Sequence, residues 1–361
     1  MRDGVAMPSP GAVRGPDPTL PERFRRHAAS LEHGGRSPLC IALMRGAADD
    51  IEAGGPVARL FDGVATPPGS VPALRLLAAL HHLVLSGDAP ELATFYPSAG
   101  GARPPAGVWP AALAALEAGH DRVAGRLTRT VQTNDPGRAS VLYAALLWLT
   151  ERHGLPIRLL EIGASAGLNL HADRYCQVVD GAELGDPASP LRFDEPWRRA
   201  PDLRDAARRL RVVERAGCDL APLDPGDPGD RMTLLSYLWP DEPERIDRMS
   251  AALAVAARDP APVTAAPAGS WLPGILAATG EPALTVVWHS LLRQYVDPAE
   301  WTALEAAFAQ APRDRGPVVW VSMEPTDDHL RNVALTVRES PDGAERRLAR
   351  CGDHGPPVVW D

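Results

Sequence analysis

Near residue 154 the spacing of apolar residues changes, and this change constrains the fold more than any other feature of the chain. Up to about residue 153, apolar residues recur at helical spacing in five stretches: 20–31, 39–51, 71–85, 109–130 and 139–152. Proline- and glycine-rich loops such as "ATPPGS" and "PSAGGARPPAG" separate them. Beyond that point short β-branched runs take over. Residues 157–162 read as a buried strand ending in glycine, 211–218 as a second and 261–266 as a weaker third. Residues 283–289 and 317–323 are clear strands, and 332–339 with a last segment ending in "PPVVW" predicts a terminal hairpin. Helical stretches lie between them at 167–174, 242–258, 271–279 and 298–310. Strands that alternate with helices pack as a mostly parallel sheet with helices on both faces. The predicted fold is therefore α/β. A doubly wound sheet spans 154–361, and an all-helical domain over 21–153 serves as lid and substrate pocket. Residues 1–20, rich in proline and glycine, are predicted to be disordered. In such sheets ligands sit at the carboxyl ends of the strands, near the point where strand order reverses.

Composition narrows the chemistry. All 37 basic residues are arginine. Without lysine there is no Schiff base to pyridoxal phosphate, no P-loop lysine and no kinase-type phosphate lysine. The net charge of -9 argues against a nucleic-acid partner. Cys40, Cys176, Cys218 and Cys351 are far apart, with no C-x-x-C pair, which predicts reduced thiols and no zinc knuckle. His81 and His82 are adjacent in an apolar helix and do not share a face. Asp327, Asp328 and His329 read as an exposed loop, so no metal site is expected. No run approaches the roughly 18 apolar residues needed to span a bilayer. The first 21 residues lack the apolar core of a signal peptide. A cytoplasmic protein acting on a small molecule, with no membrane partner, is the expectation; oligomeric state is not legible.

The densest motif is "RLLEIGASAGLNL", residues 158–170. Gly163 to Gly167 spells G-x-S-x-G, the elbow that exposes a serine nucleophile in many hydrolases. Asp219, His289 and His354 are available as partners for Ser165. However, Ser165 follows the first strand, and no oxyanion-hole loop lies upstream. The same letters place an acid, Glu161, at a strand end before a glycine-rich turn, as in sites that cradle a nucleotide-like cofactor.

The string E-I-G-A-S-A-G resembles the first motif of class I S-adenosylmethionine-dependent methyltransferases, E/D-x-G-x-G-x-G, with Ser165 in place of the middle glycine. Together with "VQTNDPGR" (131–138), "RAGCDLAPLD" (215–224), "LWPDEPERIDRM" (238–249) and the closing "DHGPPVVW", it also resembles an uncharacterised bacterial family over roughly residues 20–361, in which Asp135 is commonly glutamate. The resemblance implies a Rossmann-like domain that binds S-adenosylmethionine through Glu161, Gly163, Ser165, Gly167 and Asn169. It implies Asp219 as the acid that holds the ribose, with Asp180 as the alternative, and residues 180–193 as an insertion, a hairpin against the cofactor site. Trp271 is the side chain available to stack on adenine. The resemblance places His289 and Ser290 at the end of the fourth strand, facing the acceptor, with His289 as general base and Tyr295 and Glu324 nearby. Gln132, Asn134 and Arg138 then form a loop over the substrate, while Asn134 or Asp135 with Pro136 also fits a helix N-cap. A serine hydrolase, a non-catalytic cofactor fold and intramolecular chemistry on S-adenosylmethionine remain alternatives.

Overall fold

Many of the 38 prolines mark helix starts. In a computed structural model describing residues 19–67, 70–326, 332–341 and 343–361, eight of the thirteen described α-helices carry proline at their first or second position. Proline's fixed φ suits that position, where its missing N–H has no partner to lose. Residues 327–329 lie outside the described residues.

The N-terminal unit comprises α1 (Leu20–His33), α2 (Pro38–Glu52), α3 (Pro56–Leu60), α4 (Pro72–Leu85), α5 (Pro90–Ala93), α6 (Val108–Ala118) and α7 (His120–Leu127). Phe24, Leu43, Leu76, Leu80, Leu116 and Leu127 form its core, joined by Trp239 from much later in the chain. The stretch at 109–130, which reads as one helix, is two. It breaks at Gly119, where α4 packs so close that a Cβ would touch Leu83. Helix α8 (Gly137–His153) ends on Gly154 at φ 64°, the left-handed stop that glycine permits. Its buried face joins the core of the sheet, not that of the helical unit.

The remaining elements are β1 (Ile157–Ile162), β2 (Cys176–Val179), β3 (Ala182–Gly185), β4 (Arg192–Asp194), β5 (Trp197–Arg198), α9 (Arg204–Arg209), β6 (Val212–Asp219), α10 (Pro228–Ser236) and α11 (Pro243–Ala256). They continue with β7 (Val263–Ala265), α12 (Ala268–Ala277), β8 (Leu284–Ser290), α13 (Pro298–Ala309), β9 (Val318–Pro325), β10 (Val333–Glu339), β11 (Arg346–Gly352) and β12 (Gly355–Trp360). The nine-stranded sheet runs β5-β12-β11-β10-β9-β8-β1-β6-β7. From β7 to β9 all pairs are parallel, whereas β9 to β12 form an antiparallel meander. The terminal hairpin read from the sequence is thus a three-stranded meander. Its middle strand escapes a hydrophobicity reading because Arg346, Arg347 and Arg350 point to solvent. Successive side chains alternate between faces. Leu159, Val286 and Trp288 face α8 and α11, while Leu160, Ile162 and Val287 face α12 and α13. Strand order reverses beside β1, which lies between β6 and β8.

Residues 180–193 do not form a hairpin of their own: β3 turns back antiparallel on β2, and β4 pairs parallel with the other edge of β2, in a small side sheet ordered β3-β2-β4. That sheet is tied to α8 through Ser140 Oγ, which donates to Gln177 Oε1 at 2.7 Å. It does not approach the carboxyl edge around Gly163. At this same end of α8 two glycines meet. A Cβ on Gly137 would overlap the His354 carbonyl, and one on Gly355, at φ 91°, would overlap the Gly137 carbonyl. The turn between β11 and β12 is thereby pressed against the start of α8. Among the described residues, no helix is long and apolar enough to cross a membrane.

Candidate functional site

Above the carboxyl ends of β1, β6 and β8 lies a cavity of about 370 Å³. Gly163, Ser165 and Asn169 form its floor, Cys218, Asp219 and Leu220 line the β6 side, and Ser290, Leu292 and Tyr295 line the β8 side. The roof comes from the helical unit and its exit loop: Ala65, Arg75, residues 128–134 and Arg138. The structure thus brings Gly163, Ser165, Asn169, Asp219, Gln132, Asn134, Arg138, Ser290 and Tyr295 to one space.

The turn after β1 takes positive φ at Gly163 (72°), Ser165 (53°) and Gly167 (70°), so a serine occupies a conformation that glycine adopts without strain. Its backbone donors are largely engaged within the protein. Gly163 N and Ala164 N donate to Cys218 O, both at 2.9 Å, and Ser165 N donates to Asp219 Oδ2 at 2.9 Å. Leu168 N donates to Asn134 Oδ1 at 3.1 Å. The segment after the turn is a 3-10 helix, Leu168–Arg174, not the α-helix read from its spacing. Asn134 caps this segment, while Asp135 Oδ1 accepts from Gly137 N at the start of α8.

Ser165 Oγ donates to Gln132 Oε1, and Gln132 Nε2 donates to Ala221 O at 3.0 Å. The hydroxyl therefore anchors the roof loop, and among the described residues no histidine bonds it. Replacing Ser165 with alanine leaves the buried Gln132 oxygen unpaired, an expected loss of about 1–3 kcal/mol. Ser165→Gly also removes the left-handed strain and should lose about 1 kcal/mol less. Denaturant unfolding of both variants measures this order; a reversed order would show that strain is not stored at Ser165.

Glu161 is 1% exposed, accepts from Asn169 Nδ2 at 3.1 Å, and leaves Oε2 without a partner. Burial pushes its carboxyl up to about 8, against the opposing pull of Asn169 and Arg138. Asn169 Oδ1 is likewise buried and unpartnered. Asp219 Oδ1 accepts from Ala221 N at 2.9 Å, so each oxygen already holds one donor and retains a lone pair. Asp180 sits in the turn of the side sheet and does not line the cavity. Trp271 packs against the apolar core beneath α12 and α13 and does not line it either.

His289 ends up elsewhere than its position in the sequence implies. The strand alternation turns its ring under the sheet, 1% exposed, edge-on to Trp301 and Trp320 at 5.2 and 5.5 Å. Its Nδ1 lies 2.8 Å from Glu324 Oε1, the oxygen that also accepts from Leu292 N at 2.8 Å and Arg293 N at 3.2 Å. Burial works against the Glu324 charge, but His289 and the two amides outweigh it and hold the carboxyl below its usual range. Together they fix the loop that carries Leu292 and Tyr295 into the cavity. Sequence reasoning does not find Arg75, Arg129 or Leu220 as cavity residues; they sit in helical or loop stretches that read as ordinary surface. Among the described residues no group of three or more His, Cys, Asp or Glu side chains is placed to hold a metal ion.

The family model described as "Uncharacterized protein conserved in bacteria (DUF2332)" matches residues 21–360. No curated protein matches the chain.

Proposed function

The chain belongs to that bacterial family, and from its cleft we propose an S-adenosylmethionine-dependent enzyme that methylates a small molecule. The parallel strands, in sheet order β7-β6-β1-β8-β9, follow the Rossmann-like arrangement in which ligands bind where the order reverses. The observation that carries the proposal is the cavity at that point, with Gly163, Asn169 and Asp219 on one wall and Ser290 and Tyr295 on the other.

The residues fit the cofactor. Asn169 Oδ1, on the cavity floor, is a buried acceptor without a partner, suited to an ammonium or hydroxyl group, and Glu161 holds its amide from behind. Asp219 retains acceptor capacity for two ribose hydroxyls, and Leu220, Ala266 and Ala268 offer an apolar bed for a purine. Once bound, the sulfonium supplies an activated methyl group. The helical roof excludes water, and Ser290 and Tyr295 meet the acceptor. His289 and Glu324 act as positioning residues that hold the acceptor-side loop.

Calorimetric titration with S-adenosylmethionine and S-adenosylhomocysteine tests the proposal. Saturable one-to-one binding is expected, weakened tenfold or more by Asp219→Asn. Absence of binding by the folded protein overturns it, and binding without transfer to any acceptor favours a non-catalytic role.

A further inference from the structure

Beside the cofactor-facing cavity lies a second one of about 380 Å³, sharing Arg75, Arg129, Thr130, Gln132 and Leu220 with it. Its charged lining residues are Arg75, Arg126 and Arg129, and among the described residues no carboxylate lines it. Arg75 is 7% exposed. Two of its nitrogens donate to carbonyls, to Leu127 O at 2.6 Å and Ala65 O at 3.1 Å, while Nε is buried without a partner. Arg126 and Arg129 form no ion pair or side-chain hydrogen bond among the described residues, although Arg122, one turn earlier on α7, pairs with Asp88. Burial, then the charge of Arg129, lowers the pKa of Arg126. Half-buried Arg126 and exposed Arg129 face this space without a counter-ion among the described residues and repel one another, with Arg75 in the same lining. Such an arrangement persists at little cost when an anion is its usual occupant, because guanidinium groups bind carboxylate and phosphate oxygens in pairs. Thr233 and Tyr237 complete the wall with hydroxyls.

We propose that this arginine chamber binds the oxyanion group, carboxylate or phosphate, of a small acceptor whose reactive end passes Gln132 and Leu220 into the neighbouring cavity. Its being an acceptor rests on the function proposed above; the anion site itself does not. Gln132, bonded on one side to Ser165 and on the other to Ala221, is the partition between the two spaces.

The test titrates the full chain separately with inorganic phosphate and with succinate, which distinguishes the two anion sources, and independently with S-adenosylhomocysteine. At least one anion should bind saturably. The Arg126→Gln variant, at the arginine that lines the second cavity alone, should lose that binding tenfold or more while its affinity for S-adenosylhomocysteine changes less than twofold. Arg126 has no pairing to lose among the described residues, so this variant should melt no lower than the parent. Absence of saturable anion binding by the parent, or equal binding by the variant, overturns the proposal. Anion binding without S-adenosylhomocysteine binding leaves the chamber standing and removes the cofactor assignment.

Discussion

Glu161→Gln is expected to be more stable than the parent at pH 9 and nearly equal to it at pH 4. Burial holds the Glu161 carboxyl up near 8 in the folded chain, against an ordinary value of 4.5. Between these values the unfolded chain is ionised at this site while the folded chain keeps its proton. The folded state then binds more protons, so stability falls as pH rises from about 4.5 to about 8 and levels off above. The loss is on the order of 5 kcal/mol. Glutamine keeps the shape and can still meet Asn169, but has no charge to bury. Denaturant unfolding of both proteins from pH 4 to 9 reads the difference, and parallel curves would mean that Glu161 does not carry the shift. The cost falls directly behind the cavity floor, where Glu161 fixes the amide of Asn169.

Asp135→Ala is expected to cost about 3 kcal/mol, because it removes the buried carboxylate shared by Arg245 and His354 and leaves Arg245 only Glu242. Asp135 is 2% exposed, and its Oδ2 lies 2.8 Å from Arg245 Nη2 and 3.0 Å from His354 Nδ1. Burial opposes its charge, but Arg245, His354 and Arg138 hold its carboxyl well below the usual carboxylate range. The stabilisation is thus present above about pH 4 and is lost as pH falls toward the folded-state value. The parent should show this acid limb, and the alanine variant should lack it. Asp135 also fixes the loop that carries Gln132 and Asn134, so affinity for S-adenosylhomocysteine should fall tenfold or more in the same variant. Asp135→Glu keeps the charge and should recover most of both. Equal losses in the alanine and glutamate variants would instead assign Asp135 a purely steric role.

The α/β alternation was legible because β1, β8 and β9 are buried on both faces and read as continuous apolar runs. Glu161 and the Gly163–Gly167 turn were legible because an acid and paired glycines rarely interrupt such a run except at a turn or a ligand site. The orientation of His289 was not, since a strand end exposes alternate residues to opposite faces and one position decides between cleft and core. Nor was the arginine chamber. Arg75 lies on α4 and Arg126 on α7, and only tertiary packing faces them across one space. The residues that complete the site come from separate units, and no local periodicity encodes their meeting.

The contact of Gly137 with the turn at His354 and Gly355 ties the assembly of the cleft to the order of synthesis. Arg138 Nε, beside the roof loop, donates to Asp353 O across 215 positions of sequence, a long closure whose entropy is lost before its contacts form. A nascent chain ending near residue 340 already holds every residue lining both cavities, and Arg245 to brace Asp135, but it lacks His354 against Asp135 and the Asp353 carbonyl against Arg138. The last brace of the roof therefore comes from a segment that lines neither cavity. It arrives only with β11 and β12, the strands that also complete that side of the sheet.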